Sequence, residues 1–329
     1  MHEPDFIRWG IIGCGDVTEM KSGPAFNKIP YSKLVAVMRR DAAKAADYAA
    51  RHQVARWYTD AEQLVLDEEV NAVYIATPPS SHRRYAQMAI EAGKPVYVEK
   101  PMAMNAAEAM HLAALAADKN VKLTVAHYRR GHERIRFIKK MLDENSIGGI
   151  NSVNLLYQRK PLSPESLKLE KTAWRVNPSI SGGGLFHDIA PHQLDLVYYF
   201  FGNGMPVDTI SGNRAGLYSA DDFVSGKIQL KDDIRFSGTW RYDQDTLLET
   251  DSFEIIGSQG SIRFGVFENK TVTVTRNGPD EICHFEELQH VQLPMIEMVV
   301  NYFRGTAVNP CSGEEGAEVM KWMDAFTCK

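Results

Sequence analysis

Short apolar runs punctuate the first third of the chain at regular intervals. Phe6–Ile12 closes on glycines, and Lys33–Met38, Val70–Ala76, Pro95–Val98 and Val121–Ala126 follow. Bounded runs rich in Val and Ile suit strands buried on both faces of a parallel sheet. Helical stretches separate them. Asp41–His52 is Ala-rich, Ser81–Ala92 stops at Gly93, and Asn105–Lys119 opens with Asn105 and Glu108 at capping-box spacing. Repeated strand–helix–strand units predict a doubly wound α/β domain of the Rossmann type.

The pattern changes near Asn151. Ile234, Phe236, Trp240 and Tyr242 fall on one face of a period-two segment, with Arg235, Ser237 and Arg241 on the other. Val272 and Val274 alternate with Thr271, Thr273 and Thr275. Period two with one polar face predicts an open, mostly antiparallel sheet. Helices are expected over Leu185–Phe201, Pro294–Phe303 and Glu314–Phe326. The expected organisation is a dinucleotide-binding domain over residues 1–126 and an α+β domain over 127–329, whose last helix is free to pack back on the first.

Composition narrows the setting. The chain has 329 residues, enough for about two domains, with 44% apolar and 24% charged positions and a net charge of −5. No stretch concentrates Lys and Arg, which argues against a nucleic-acid partner. No apolar run approaches the ~20 residues of a membrane span. His2, Glu3 and Asp5 make the opening residues unlike a signal peptide. Cys14, Cys283, Cys311 and Cys328 are scattered without metal-ligand spacing, so reduced thiols in the cytoplasm are expected.

Four motifs and one arginine pair carry candidate chemistry. Gly13-Cys14-Gly15 follows the first strand, where glycines allow a tight turn and let a pyrophosphate approach backbone N–H groups; Asp16 and Val17 open the helix behind it. Thr18 stands where the third small residue of that fingerprint belongs, a departure that would loosen packing. The second strand ends in Arg39-Arg40 instead of the acid that usually bonds the ribose. Two guanidiniums there can clamp a 2′-phosphate, so NADP(H) is favoured over NAD(H); the plain alternative is a solvated pair ahead of a helix capped by Asp41. Thr77-Pro78-Pro79-Ser80-Ser81-His82 and Glu99-Lys100-Pro101 both sit at carboxyl ends of strands, where open α/β sheets bind ligands. The proline fixes the backbone from which Lys100 leaves, and a partly desolvated amine is a candidate proton carrier. Last comes Gly182-Gly183-Gly184-Leu185-Phe186-His187-Asp188-Ile189-Ala190-Pro191-His192. Asp188 and His192 share a helix face. They form an acid/base pair, two metal ligands, or a cap plus a core histidine.

Taken in order, these motifs resemble the glucose–fructose oxidoreductase/inositol dehydrogenase (Gfo/Idh/MocA) family. The resemblance covers nearly the whole chain, including Ile255–Ile262. Two departures are Ala190, where the family commonly has glycine, and Tyr128, where many members have Asn ahead of Arg129-Arg130.

The resemblance implies a hydride-transferring enzyme acting on a hydroxyl or carbonyl of a sugar, polyol or related cyclic alcohol. It implies that Lys100, Asp188 and His192 surround the reacting carbon. His192 would exchange the proton, Lys100 would polarise the oxygen, and Asp188 would hold the substrate. Gly13, Cys14, Gly15, Asp16, Val17, Arg39, Arg40, Thr77, Pro78, Pro79, His82, Glu99 and Lys100 would serve the cofactor. Tyr128, Arg129, Trp174 and Arg175 would join Asp188 and His192 at the substrate, and no metal is needed. Two rivals remain: an NAD-dependent glycoside hydrolase or lyase working by transient oxidation, and a non-catalytic NADP-binding regulator. A homodimer or tetramer through an uncovered apolar face of the second domain's sheet is expected, with Ile234, Phe236, Trp240 and Tyr242 as candidates on one side of the sheet or the other; the competing expectation is a monomer whose helices Pro294–Phe303 and Glu314–Phe326 cover the sheet.

Overall fold

The computed structural model describes residues 5–244, 248–267, 270–276 and 278–328. Six strands build the first sheet: β1 (Ile7–Ile12), β2 (Ser32–Met38), β3 (Arg56–Tyr58), β4 (Ala72–Ile75), β5 (Val96–Val98) and β6 (Leu123–Val125). Their order is β3-β2-β1-β4-β5-β6, and every pair is parallel. The order reverses between β1 and β4, the topological switch point outside which such sheets bind ligands. All of β4, β5 and β6 is buried, which is why these strands read as unbroken apolar runs. The three expected helices run over Ala42–Arg51, His82–Glu91 and Ala106–Asp118. Asp41 caps the first by accepting from the Lys44 N–H at 3.1 Å. Asn105 caps the third by accepting from the Glu108 N–H at 2.9 Å, and Glu108 reaches back to the Met104 N–H at 3.2 Å. Strand β3 and the short helix Ala61–Leu66 escaped the sequence pattern, because β3 is three residues long and none of them is buried.

The second sheet has the order β14-β13-β12-β11-β7-β10-β9-β8. Its strands are β7 (Ile150–Gln158), β8 (Gly204–Gly212), β9 (Phe223–Leu230), β10 (Arg235–Arg241), β11 (Thr250–Gly257), β12 (Gly260–Phe264), β13 (Thr271–Thr275) and β14 (Glu281–His284). Pairing is antiparallel except between β7 and β10. The helix Leu185–Phe201 and the end of Gly313–Phe326 cover one face. Phe186 and Phe326 meet Trp240 edge-on at 5.1 and 5.6 Å, and Trp240 donates its indole N–H to Gln193 Oε1 at 2.6 Å.

That packing settles which side of the sheet these residues take. Phe236, Trp240 and Tyr242 are 0–3% exposed, so they are core and not an uncovered apolar patch. The opposite face pairs Arg235 with Ser152, Ser237 with Asn154, Thr239 with Leu156 and Arg241 with Gln158, and mixes these polar side chains with the exposed Leu156, Met205, Ile210 and Ile282.

The compact units do not follow a single cut near residue 126. One takes the chain up to His132 together with Leu288–Ala317; the other takes Glu133–Glu287 and the chain from Glu318 onward. The return segment belongs to the first unit through specific contacts. Phe303 packs on Trp9 at 5.5 Å, Lys122 donates to the Tyr302 carbonyl, and Asn309 bonds both Thr124 and the Leu123 carbonyl.

Candidate functional site

In the first unit the glycine loop is shaped by close approach. Gly13 has φ +95°, and a Cβ there would lie 2.6 Å from Thr77 Cγ2 and 2.9 Å from Thr77 N. The N–H groups of Gly13 and Cys14 both donate to the Met38 carbonyl, pinning the loop to the end of β2. At Gly15, by contrast, a Cβ would meet nothing closer than 4.0 Å. Asp16 and Val17 begin the helix Asp16–Met20 behind it. Thr18 loosens nothing: it is fully buried and its hydroxyl donates to the Gly15 carbonyl at 2.8 Å. Arg39 Nη1 donates to the Cys14 carbonyl at 3.1 Å, so this guanidinium stands over the loop, while Arg40 is exposed. Burial pushes the Cys14 thiol up to about 11 against the opposing pull of Arg39, which leaves it an inert, neutral group. An open cradle at Gly15 flanked by a guanidinium fits the pyrophosphate and ribose of a dinucleotide.

The two strand-end motifs of this unit are tied together by His82. It is fully buried, with Nδ1 2.9 Å from the Pro101 carbonyl oxygen and Nε2 2.7 Å from that of Thr77. Burial pulls its pKa down, opposed by the two carbonyl acceptors. Each nitrogen faces a backbone carbonyl; a neutral ring donates its single N–H to one of them, so His82 sits between the two loops. Pro79 is buried beside it, Pro78 is extended, and Ser81 donates to the Thr77 hydroxyl. Glu99 is 6% exposed yet well satisfied. It accepts from the Tyr74 hydroxyl at 2.5 Å, from Gln292 Nε2 at 2.6 Å and from the Lys100 N–H at 3.2 Å. Tyr74 and Tyr97 stack at 5.1 Å beneath, and burial raises both phenols well above their usual range. This buried network fixes the backbone of Lys100, whose own side chain is half-buried. Gln292 was invisible to motif reading, because it lies 193 residues from Glu99. Tyr128 and Arg129 also belong here. They are buried, with the Arg129 guanidinium 5.3 Å over the Tyr128 ring.

In the second unit the glycine triplet sets a helix start. Gly182 and Gly184 have φ +91° and +83°, and a Cβ on Gly184 would come within 2.4 Å of Ala220 Cβ. The Ser181 hydroxyl accepts from the Gly184 N–H at 2.9 Å. The helix Leu185–Phe201 therefore starts so that Asp188 stands in its first turn and His192 one turn later. Arg175 Nε pairs with Asp188 Oδ2 at 3.2 Å, and its guanidinium lies 4.6 Å over the Trp174 ring. Trp174, Arg175 and Asp188 are thus one group. His192 is 5% exposed and meets Phe267 edge-on at 5.4 Å. Phe267 in turn meets Tyr157 edge-on at 5.3 Å, Tyr157 lies 6.0 Å from Tyr242, and the Arg159 guanidinium sits 4.7 Å over Tyr157. Sequence reading missed this aromatic wall. Phe267 follows β12 in an irregular segment, with no periodicity to mark it.

A Rossmann unit with a dinucleotide cradle, followed by an α+β unit carrying an Asp–His helix, defines a nicotinamide-dependent oxidoreductase. Comparison with known proteins agrees. Residues 7–127 match the oxidoreductase family with the NAD-binding Rossmann fold, and residues 135–263 match the GFO/IDH/MocA C-terminal domain. The chain belongs to the Gfo/Idh/MocA oxidoreductase family. It is 48% identical over 320 residues to oxidoreductase P35 of Formosa agariphila, covering 97% of this chain and 98% of that protein. Among solved structures it is similar in fold to levoglucosan dehydrogenase in complex with NADH and levoglucosan, with TM-score 0.86, 22% identity, and 98% and 96% of the two chains covered. It is also similar to a 3-ketoreductase from Actinomadura kijaniata in complex with NADP, with TM-score 0.83, 21% identity, and 98% and 97% covered.

Proposed function

We propose that this oxidoreductase moves a hydride between a nicotinamide cofactor, NADP(H) preferred, and the hydroxyl or carbonyl carbon of a sugar-like or polyol substrate. The observation that carries the reading is the grouping of Asp188, Arg175 and Trp174 one helical turn from His192. A carboxylate, a guanidinium and an aromatic face together suit a polyhydroxylated ring. The sugars named with levoglucosan dehydrogenase and the ketoreductase activity of the other neighbour support the same substrate class. Gly13, Cys14, Gly15, Arg39 and Thr77 would hold the dinucleotide. When bound, it supplies the hydride acceptor or donor. The rest is proton management, because a carbinol carbon gives up hydride only as its oxygen loses a proton. His192 exchanges that proton, Lys100 polarises the oxygen, and Asp188, steadied by Arg175, accepts from substrate hydroxyls.

Lys100→Ala and His192→Ala should each lower turnover by roughly a hundredfold or more while cofactor binding survives. The assay is a panel of sugars and polyols with both cofactors. Activity within a few-fold of wild type in both variants would sink the assignment. Product release without net cofactor turnover would mark the hydrolytic alternative.

The same proposal extends to assembly and location. No helix among the described residues is long and apolar enough to cross a membrane. All four cysteines are free, which suits a reducing cytoplasm. A fractionation that placed the protein with periplasmic markers would overturn that location. The open sheet face, with Leu156, Met205, Ile210 and Ile282 exposed in it, suits pairing with a two-fold related copy into a homodimer or tetramer. A solution mass near 36.9 kDa by light scattering would rule the assembly out.

A further inference from the structure

The segment after β12 is held from both sides. Arg134, buried in the helix Glu133–Asp143, donates Nη1 to the Gly265 carbonyl at 2.5 Å and Nη2 to the Val266 carbonyl at 2.6 Å. From β11, Asp251 accepts from the Val266 N–H at 3.0 Å and from the Phe267 N–H at 2.6 Å. Two carbonyls face a fixed guanidinium and two amides face a fixed carboxylate, so three consecutive residues lose their backbone freedom. Charge-assisted bonds of this kind are about twice as strong as neutral ones. Such a grip on an irregular three-residue segment is more than chain connection requires. What it delivers is one side chain: Phe267, set between Tyr157 at 5.3 Å and His192 at 5.4 Å, edge-on to both.

We propose that Phe267 is a positioning residue for His192, and that Arg134 and Asp251 are the clamp that holds it there. This rests on the reading of His192 as the proton-exchanging group. The physical argument concerns the imidazole ring plane. The helix backbone fixes the Cα of His192, but χ2 of a histidine is broad and roughly two-fold. A perpendicular aromatic ring narrows that torsion, because edge-on contact is favoured over other packings and an off-angle ring would clash. Proton exchange needs the ring nitrogen aimed within tens of degrees, and small misplacements of a reacting group cost large factors in rate. The clamp therefore serves the reaction without touching the substrate.

The test uses the full chain. Phe267→Leu keeps an apolar side chain and removes the ring; Phe267→Tyr keeps the ring. The expected result is a kcat about tenfold lower for Phe267→Leu with KM and melting temperature little changed, and near wild-type kcat for Phe267→Tyr. A second readout is independent of turnover. The nuclear Overhauser contacts from the His192 ring protons to its own Cα and Cβ protons, which report χ2, should average over two ring settings in Phe267→Leu and keep the wild-type pattern in Phe267→Tyr. Asp251→Asn, which weakens the grip on the amides, should move that pattern in the same direction as Phe267→Leu and by less. An unchanged pattern in Phe267→Leu would overturn the proposal. So would equal loss of kcat and stability in both Phe267 variants, which would reduce Phe267 to ordinary packing. Should wild-type protein turn over no sugar or polyol, the functional reading fails on its own, and the Overhauser pattern still decides whether Phe267 orients His192.

Discussion

The two units fix their functional groups by different means. In the first, backbone does most of the work. Gly13 packs on Thr77, Arg39 reaches the Cys14 carbonyl, His82 spans two carbonyls, and Glu99 holds the Lys100 N–H. In the second, side chains hold side chains. Arg175 pairs with Asp188 over Trp174, and His192 leans on Phe267. The difference follows from what each must recognise. A dinucleotide is invariant, so strand-end loops at a switch point can be shaped for it once. A substrate pocket, the role proposed for the second group, has to be specific, and specificity resides in side chains that vary without disturbing the backbone.

Two glycine substitutions break the comparison most sharply. Gly13→Ala would place a Cβ 2.6 Å from Thr77 Cγ2 at φ +95°, a cost of about 2 kcal/mol or more from the left-handed backbone and the clash. Because that strain falls on the cradle, cofactor affinity should drop more than tenfold. Gly184→Ala carries similar strain, with φ +83° and a Cβ 2.4 Å from Ala220 Cβ. It displaces the start of the Asp188 helix, so it should lose turnover and keep cofactor affinity. Fluorescence titration with NADPH beside steady-state rates separates the two, and equal loss of cofactor binding in both would erase the distinction.

A smaller effect probes the proposed ribose contact of Arg39 in the first unit. Arg39→Ala removes the guanidinium that stands over the glycine loop. A charge-assisted contact of about 1.5–3 kcal/mol corresponds to roughly ten- to hundredfold, so NADPH affinity should fall by that factor while NADH affinity holds. A wild-type protein that binds NADH as tightly as NADPH would instead assign Arg39 wholly to the Cys14 carbonyl.

The same contrast explains what was legible in the sequence. Strand ends, glycine turns and the Leu185–Phe201 helix carry local signals, and all are found where the pattern put them. Gln292 and Phe267 carry none. One closes a buried network from the return segment, and the other depends on Arg134 and Asp251, which are distant in the chain. Long-range polar bonds of this kind have no period. Which face of the second sheet is buried is not legible for a related reason: alternation says that Phe236 and Trp240 share a face, but not which face the helices cover.

The smallest expected effect lies away from the chemistry, in the join between the helices Asp16–Met20 and Ala42–Arg51 of the first unit. Glu19 receives a two-pronged contact from Arg51, both arms at 2.8 Å, and His52 Nε2 lies 2.9 Å from the same carboxylate. Arg51 also reaches Asp47 at 2.8 Å. The hydrogen bonds from Arg51, followed by that of His52, lower the Glu19 carboxyl from 4.5 to about 2 against the cost of burial. A carboxyl depressed in the folded state contributes stability that is fully present above its unfolded value. That contribution is lost as pH falls from about 4.5 towards about 2. Glu19 is about a third exposed, so solvent screening reduces the contribution to about 1 kcal/mol. Glu19→Gln should therefore lower stability by about that amount at pH 7 and by much less near pH 2, when both proteins are compared by urea unfolding. The substitution leaves the glycine loop untouched, so cofactor affinity should not change. A deficit that persisted undiminished at pH 2 would assign Glu19 to packing, with no contribution from its charge.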